Sequence, residues 1–272
     1  MENSVQVNNK VILITGAFGL IGKTISIGFL RQGAKVILAD IQIAASEEIK
    51  KELEEFDPSN YLITELNITS AASCQHTIDA AVNTFGRIDV LINNAAIDAK
   101  FDRANEGTIN HSRFENYPIS LLERSIQVNI TGTVQMTQLV CRQMLHQGGG
   151  NIIQVASTYS LVSPNQSLYD FGNGQIQYKP VDYIITKSFI PNFTRYIATF
   201  YARENIRCNA IAPHGIFNDH DEKFMVNFAQ LSPLGRMAEK HELIGPFTFL
   251  ASDASSYMTG SVLTIDGGWT AW

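Results

Sequence analysis

The sequence has little cysteine, little charge and no long apolar run, and each shortage argues against a class of protein. Its three cysteines, Cys74, Cys141 and Cys208, lie far apart and are odd in number. This usage predicts reduced, buried thiols rather than a disulfide framework or a C-x-x-C zinc site. Charged residues make up only 17% of the 272 residues and apolar residues 45%, which excludes a disordered chain. The formal net charge of −6 argues against a nucleic-acid partner.

Signals for a membrane or for secretion are missing as well. No stretch approaches the roughly 18 consecutive apolar residues of a transmembrane helix, and residues 1–10 are too polar for a secretory signal. Together with the cysteine usage, these absences predict a cytoplasmic protein without a membrane partner.

The sequence does contain an alternation of short apolar runs and longer amphipathic stretches. The apolar runs are continuous, as in strands buried on both faces of a parallel sheet, and the stretches between them have helical spacing, as in Ile21, Ile25 and Phe29. We predict an α/β fold: one domain over residues 1–272, with a doubly wound parallel sheet of the Rossmann type and helices on both faces. The predicted strands are 11–14, 35–39, 61–66, 90–92, 152–155, 206–212 and 262–265; the predicted helices are 21–31, 43–56, 71–85, 118–146, 181–204 and 239–251.

Three segments are too long for ordinary connections. They span residues 97–117, 158–180 and 213–235, and each follows a predicted strand, so each lies at the carboxyl edge of the sheet, where open α/β folds bind ligands. Loops of this length usually form lids or binding loops. We expect these three to form the substrate cleft, anchored by the aromatic side chains that they carry: Phe101, Phe114, Tyr159, Tyr169 and Phe171.

A glycine-rich turn connects the first predicted strand to the first helix. Gly16, Gly19 and Gly22 permit a tight turn and a close approach of the backbone to a pyrophosphate at the helix N-terminus. Asp40 ends the second strand, 18 positions after Gly22. Its carboxylate can accept hydrogen bonds from ribose hydroxyls and repel a 2′-phosphate. The pattern therefore predicts a dinucleotide site that favours NAD over NADP.

The second chemical motif is Tyr183 followed by Lys187. Of nine tyrosines, only Tyr183 has a lysine four residues later, and this spacing places both side chains on one helix face. A nearby ammonium group lowers the pKa of a phenol and would let it exchange protons near neutral pH. The motif predicts an acid/base pair, because it follows a dinucleotide motif and a strand that leads into Ser157.

These residues resemble the short-chain dehydrogenase/reductase family over nearly the whole chain. The resemblance implies that Tyr183 is the acid/base and that Ser157 holds the substrate oxygen. It also implies that Lys187 lowers the tyrosine pKa and binds the nicotinamide ribose, and that Asn129 anchors a water relay. The cofactor-binding residues that it implies are Gly16, Phe18, Gly19, Leu20, Ile21, Gly22, Asp40, Ile41, Asn67, Ile68, Asn94, Ala95, Ala96, Tyr183, Lys187, Pro213, His214, Gly215 and Ile216.

Several departures from the family pattern limit this transfer of roles. The glycines are spaced G-x-x-G-x-x-G, which can shift the phosphate contacts by one residue, and Ala96 and His214 stand where glycine is usual. Ser157 and Tyr183 are 26 residues apart because of an insertion, so Thr158 and Ser160 remain alternatives to Ser157.

The insertion also bears on the substrate. Residues 157–164 and 213–217 resemble a branch of oxidoreductases that act on sugars in flagellin glycan and surface polysaccharide synthesis. We therefore expect an oxidoreductase that interconverts an alcohol and a ketone on a sugar or nucleotide sugar. The basic side chains that could anchor a phosphate are Lys100, Arg103, Arg113, Lys179, Lys223 and Arg236.

Other functions stay open at this point. An epimerase or dehydratase that retains its NAD would use the same residues, and a non-catalytic NAD-binding regulatory protein would use only the nucleotide half. No metal site is expected, because His214, Asp219, His220 and Asp221 do not have a recognisable ligand spacing. Family resemblance implies a homodimer or homotetramer, with the predicted helices 118–146 and 181–204 at the interface.

Overall fold

The computed structural model describes residues 5–43, 47–98, 110–170 and 177–272, without the side chains of residues 47 and 48. Within these ranges, seven strands form one sheet in the order β3-β2-β1-β4-β5-β6-β7. All neighbouring strands pair in parallel. The strands are β1 (Val11–Thr15), β2 (Lys35–Asp40), β3 (Tyr61–Glu65), β4 (Val90–Asn93), β5 (Gly150–Val155), β6 (Ile206–Pro213) and β7 (Val262–Ile265).

The α-helices of the described ranges are α1 (Leu20–Arg31), α2 (Glu47–Leu53), α3 (Ala71–Phe85), α4 (Ile119–Ser125), α5 (Thr133–Gln147), α6 (Val181–Ser188), α7 (Ile190–Tyr201), α8 (Glu222–Leu231) and α9 (Ile244–Ala251). A π-helical segment, Ile126–Gly132, joins α4 to α5. None of the described helices combines the length and the apolarity that a membrane crossing requires.

The sheet is buried on both faces, which confirms the predicted fold class. Ile12 and Ile14 of β1 point to one core, where Phe29 of α1 and Phe247 of α9 pack. Val11 and Leu13 point to the opposite core, which is built by α3, α5 and α7. Successive residues of a strand face opposite sides of a sheet, so a continuous apolar run supplies both cores at once.

The three cysteines are buried and form no disulfide, as the sequence predicts. Cys74, Cys141 and Cys208 are buried free thiols. All three belong to the core that is built by α3, α5 and α7.

Two predicted helices are interrupted in the structure. The predicted helix 118–146 contains the π-helical segment between α4 and α5. The predicted helix 181–204 divides into α6 and α7, and Pro191 lies at the start of α7. Proline lacks the amide hydrogen that a continuous helix needs, so α7 starts as a new helix. A 3₁₀ turn, Ala202–Glu204, follows α7.

The treatment of residues 213–235 as a loop is wrong, because this segment contains α8. Asp221 caps α8 by accepting hydrogen bonds from the amides of Lys223 at 2.9 Å and Phe224 at 3.4 Å. The helical spacing of Phe224, Phe228 and Leu231 was available in the sequence. In the other two segments, Phe101 and Phe171 lie outside the described residues, and Phe114 is 79% exposed rather than an anchor.

Candidate active site

A cavity of about 1220 Å³ opens at the carboxyl edge of the sheet. It lies where the strand order reverses between β1 and β4, which is the position at which open α/β sheets bind ligands. All the predicted cofactor-binding residues except Gly22 line this cavity. Ser157 lines it as well, whereas Asn129 does not.

Gly16 and Gly22 shape the turn between β1 and α1. Gly16 has φ +65°, and a Cβ atom there would lie 2.7 Å from the Cα of Ala95. A Cβ atom on Gly22 would lie 2.1 Å from the carbonyl oxygen of Gly16. Neither position tolerates a larger residue, because the clashing atoms belong to backbone. Gly22 therefore supports the turn from behind rather than facing the cavity.

Gly19 has a different role, because its surroundings leave room. A Cβ atom there would meet only the carbonyl oxygen of Gly16, at 3.5 Å. Gly19 is the N-cap of α1, which has no side-chain cap and no acidic residue in its first turn. The first amides of a helix have no partner within the helix and attract anions. Leu20 and Ile21, the first two residues of α1, line the cavity. The N-terminus of α1 therefore opens onto the cavity and suits a pyrophosphate.

Asp40 and Asn94 hold the glycine turn in place. Asp40 accepts hydrogen bonds from the amides of Phe18 and Gln42, both at 2.9 Å. The Nδ2 atom of Asn94 donates to the carbonyl oxygens of Thr15 at 3.1 Å and Gly16 at 2.9 Å. A carboxylate accepts about four hydrogen bonds, so Asp40 retains acceptor sites for ribose hydroxyls.

Asn67 also lines the cavity, but its side-chain oxygen is engaged. It accepts hydrogen bonds from the amide of Thr69 at 3.0 Å and the hydroxyl of Thr69 at 2.7 Å. This local turn fixes the wall of the cavity after β3, where Ile68 is the next lining residue.

Ser157, Tyr183 and Lys187 meet in the same cavity. Ser157 directly follows Ala156 after β5, while Tyr183 and Lys187 lie one turn apart on α6. A hydrogen bond from Ser157 favours the ionised form of Tyr183, but desolvation dominates and raises the pKa of the phenol to about 12. The phenol is therefore protonated at neutral pH.

Burial dominates the pKa of Tyr183, and the effect that the resemblance implies for Lys187 stays a prediction. The Nζ atom of Lys187 donates a hydrogen bond to the carbonyl oxygen of Val155 at 2.8 Å. The side chain is buried, and desolvation lowers the pKa of its ammonium group to about 8. At pH 7 the ammonium group still carries most of its charge beside the phenol, but burial makes that charge costly to keep.

The alternatives to Ser157 lie differently. Thr158 is fully buried, and Ser160 donates its hydroxyl to the carbonyl oxygen of Ser157. Neither residue lines the cavity. The Oγ atom of Ser157 accepts a hydrogen bond from the amide of Tyr159 at 3.2 Å, which fixes its position.

Asn129 lies in the π-helical segment behind the cavity. Its Oδ1 atom accepts from the amide of Ile97 at 2.8 Å, and its Nδ2 atom donates to the carbonyl oxygen of Ile97 at 2.8 Å and to Thr186 at 3.1 Å. The side chain therefore joins the segment after β4 to α6. The water relay that the resemblance implies for Asn129 stays a prediction.

The turn Pro213–Ile216 closes the cavity beyond β6. The amide of Ala238 donates to Gly215 at 2.8 Å. The His214 ring packs against Tyr159, Phe228 and Trp269, with ring centroids 5.3, 5.2 and 4.3 Å away. Burial among these rings lowers the pKa of His214 to about 4, so the imidazole is neutral at pH 7.

The far end of the cavity contains residues that the sequence analysis did not assign to a site. Tyr159 and Tyr169 were expected only as loop anchors, yet both line the cavity, and their hydroxyls lie 3.2 Å apart. Leu168, Phe224 and Phe228 complete this wall. The described part of the insertion, residues 158–170, and α8 thus form an aromatic end with two hydroxyl groups.

Only one of the described basic candidates lines this cavity. Arg113 pairs with Glu115 at 2.6 Å, and Arg236 pairs with Glu242 at 2.7 Å. Lys223 lies on the exposed face of α8, and Lys100 and Arg103 lie outside the described residues. Lys179 lines the cavity. No three potential metal ligands come together in the described ranges.

Comparisons with known proteins agree with this geometry. A sequence profile described as enoyl-(acyl carrier protein) reductase matches residues 16–270. The chain is 34% identical to 3-oxoacyl-(acyl-carrier-protein) reductase of Thermotoga maritima, over 97% of this chain and 98% of that protein. It is 31% identical to L-rhamnose 1-dehydrogenase (NAD(P)(+)) of Azotobacter vinelandii, over 96% of each.

Solved structures show the same fold with a cofactor bound. A short-chain dehydrogenase from Leptospira borgpetersenii with bound NAD+ has a TM-score of 0.83 and 28% identity, and the match covers 99% of this chain and 96% of that chain. The profile, the relatives and the fold converge on a cavity that fits a dinucleotide at the glycine turn. The chain belongs to the short-chain dehydrogenase/reductase family and is an NAD(P)-dependent oxidoreductase.

Proposed function

We propose that the protein interconverts a secondary alcohol and a ketone on a sugar or activated sugar, with NAD as its cofactor. One observation carries this proposal: Ser157, Tyr183 and Lys187 line the same cavity as the uncapped N-terminus of α1. A substrate oxygen at Tyr183 would therefore share one enclosed space with a dinucleotide that lies along the glycine turn.

The residues that would hold the dinucleotide are the glycine turn, Asp40, Asn94, Lys187 and the turn Pro213–Ile216. When bound, the nicotinamide supplies or accepts a hydride and brings a positive charge in its oxidised form. Asp40 supports NAD over NADP, because its carboxylate would repel a 2′-phosphate. Among the described residues that line the cavity beside Asp40, namely Phe18, Ile41 and Gln42, there is no cation to offset that repulsion.

Tyr183 moves the proton. In the direction of reduction, its hydroxyl donates the proton to the substrate oxygen, and the phenolate that remains is stabilised by the hydrogen bond from Ser157. Before the proton moves, the Ser157 hydroxyl donates instead to the substrate oxygen and orients it. Lys187, tied to Val155, holds its ammonium group on the same helix face as Tyr183. In the direction of oxidation, the phenolate accepts the proton of the alcohol.

The aromatic end of the cavity supports a polyhydroxylated substrate. Tyr159 and Tyr169 offer two hydroxyl groups beside ring faces, an arrangement that suits a ligand with apolar faces and many hydroxyls. The name of the L-rhamnose relative points to a sugar as well. The resemblance of residues 157–164 and 213–217 supports a role in surface glycan synthesis.

The test is a substrate screen that follows NADH absorbance, with nucleotide sugars, sugar phosphates, free sugars, polyols and apolar ketones. We expect turnover with polyhydroxylated compounds and at least a 100-fold loss in Tyr183→Phe. Activity on apolar ketones alone would refute the sugar substrate. Turnover without net NADH change, in a protein purified with tightly bound NAD, would instead favour an epimerase or dehydratase. NADH binding without any turnover that depends on Tyr183 would favour a regulatory protein.

We also propose that the chain forms a homodimer or homotetramer in the cytoplasm. Tyr196 and Phe200 on α7 are 59% and 60% exposed, and their ring centroids lie 5.8 Å apart. Exposed apolar side chains of this size support an interface between copies. Light scattering on the wild type and on Phe200→Glu tests it: a shift to the monomer is expected, and an unchanged oligomer would exclude this face.

A further inference from the structure

An ion pair lies inside the cavity, directly beside the proposed acid/base residue. The Nζ atom of Lys179 lies 2.7 Å from Oδ2 of Asp98. The same ammonium group lies 3.9 Å from the centroid of the Tyr183 ring. Both members of the pair line the cavity. Lys179 therefore lies beside Tyr183 from the segment just before α6, while Lys187 follows Tyr183 by one turn within α6.

Lys179 is fixed at this place by hydrogen bonds from two other segments. The Oε1 atom of Gln166 accepts from the Lys179 amide at 3.0 Å, and the Oγ atom of Ser112 accepts from the preceding amide, that of Tyr178, at 3.2 Å. Pro180 follows directly and caps α6. The position of the ammonium group is thus a built feature of the cleft rather than a property of a free surface side chain.

The two partners are unequally exposed. The side chain of Lys179 is 14% exposed, whereas that of Asp98 is 37% exposed. Asp98 can rotate towards water at little cost, because a carboxylate that remains solvated loses little free energy. Lys179 is shielded, so its ammonium group needs an anionic partner if Asp98 leaves. Lys179 is therefore a shielded cation, and another anion can replace Asp98 as its counter-ion.

We propose that Lys179 binds an anionic group of the substrate, a carboxylate or a phosphate, and that this group displaces Asp98. The proposal rests on the proposed function, and it narrows the substrate to polyhydroxylated anions such as sugar acids or sugar phosphates. Because the ammonium group lies over the ring that exchanges the proton, the anionic group belongs close to the reacting carbon rather than at the distant end of the substrate.

A competing interpretation assigns the binding role to Asp98, as an acceptor for substrate hydroxyls. The two interpretations predict opposite effects of Asp98→Asn. If an anion must displace Asp98, removal of the carboxylate charge tightens anion binding. If Asp98 accepts hydroxyls from a neutral polyol, the same substitution weakens binding of that polyol.

The experiment measures binding by calorimetry to the protein saturated with NADH, at fixed ionic strength. The probes are two matched pairs: tartrate with threitol, and glycerol 3-phosphate with glycerol. Each pair differs in its anionic groups, so the first pair tests a carboxylate and the second a phosphate. The variants are Lys179→Gln, Lys179→Arg and Asp98→Asn. The control is Lys10→Gln, because Lys10 forms an ion pair of 2.8 Å with Asp253 and does not line the cavity.

We expect at least one anion to bind at least tenfold more tightly than its neutral partner. Lys179→Gln should abolish that preference while neutral probes change less than threefold, and Lys179→Arg should retain it. Asp98→Asn should tighten anion binding at least threefold, and Lys10→Gln should change nothing. Equal binding of anionic and neutral probes, or a preference that survives Lys179→Gln, would overturn the proposal.

Two further measurements separate this outcome from a failure of the proposed function. NADH affinity and the melting temperature are recorded for each variant and should match the wild type. The substrate screen with Tyr183→Phe tests the oxidoreductase chemistry without reference to Lys179. A wild type that shows no anion preference but retains Tyr183-dependent turnover therefore refutes only the anion site.

Discussion

Replacement of Lys187 by methionine should stabilise the protein while it inactivates it. Lys187 is only 8% exposed, and desolvation lowers the pKa of its ammonium group from its usual 10.5 to about 8. Below pH 8 the folded protein must keep a charge in a site that disfavours it. The unfolded chain binds the same proton without this cost, so the burial of Lys187 destabilises the fold at neutral pH.

The size of this change in the free energy of unfolding follows from the lowered pKa of Lys187. A difference of about 2.5 pKa units corresponds to about 3 kcal/mol at pH 7. Loss of the hydrogen bond to Val155 offsets about 1 kcal/mol, so the free energy of unfolding of Lys187→Met should exceed that of the wild type by about 2 kcal/mol. Between pH 8 and 10.5 the unfolded state binds more protons than the folded state, so wild-type stability rises with pH. The advantage of the variant should therefore shrink to nearly zero by about pH 10.

Urea unfolding of the cofactor-free protein at pH 7 and pH 10 measures this difference. Lys240→Met is the matched control, because Lys240 is exposed, and it should change stability by less than about 0.5 kcal/mol at both pH values. A Lys187→Met protein that is no more stable than the wild type at pH 7, or whose advantage is the same at pH 10, would refute the reasoning.

Three further predictions concern the cofactor half and the aromatic cluster. Gly22→Ala should lower the free energy of unfolding by about 3 kcal/mol and abolish NADH binding measured by fluorescence, because its Cβ atom would lie 2.1 Å from the Gly16 carbonyl oxygen. Gly19→Ala is the matched control, because a Cβ atom has room at that position. It should fold normally and weaken NADH binding roughly tenfold, about 1.4 kcal/mol. Asp40→Asn should raise the ratio of NADPH to NADH efficiency at least tenfold in steady-state kinetics, and an unchanged ratio would reject the charge argument. Because the pKa of His214 is lowered from 6.5 to about 4, the wild type should lose about 3 kcal/mol more than His214→Phe as the pH falls from 6.5 to 4, and equal acid sensitivity in urea titrations would contradict this.

The sheet could be predicted from the sequence because its signal is local and repeated. Continuous runs such as 11–14 can be buried only between two helical layers, and each predicted strand overlaps an observed one. The interruptions within the predicted helices were harder to predict from the sequence. Pro191 marks the start of α7, but proline is also common in the first turn of a helix, so the sequence alone did not fix where α6 ends.

The residues that line the cavity around the glycine turn were predicted one by one, because most of them follow directly on strand ends. Gly22 was the exception: its spacing suggests a phosphate contact, yet its surroundings are backbone atoms of the turn itself. The aromatic end could not be predicted in the same way. Tyr159, Tyr169 and Phe228 come from segments separated by up to 69 residues in the chain, and no local spacing reports that they meet.

The electrostatics of Tyr183 and Lys187 also depended on the fold. Their spacing places the two side chains on one helix face, which the structure bears out, but it carries no information on how much water surrounds them. Burial raises the pKa of Tyr183 and lowers that of Lys187. Desolvation of both groups therefore outweighs the attraction that the motif alone suggests.

The origin of the aromatic end in the segments 158–180 and 213–235 has a consequence for how this enzyme can diversify. Apart from Pro213, which pairs with Ile265 at the end of β6, and the bridge between Ile216 and Ala238, the described parts of these two segments contribute no strand pairing. Exchange of residues 158–180 or 217–235 with those of a relative leaves every rung of the ladder from β3 to β7 untouched. New specificities can thus arise by grafting, at little thermodynamic risk to the nucleotide-binding scaffold.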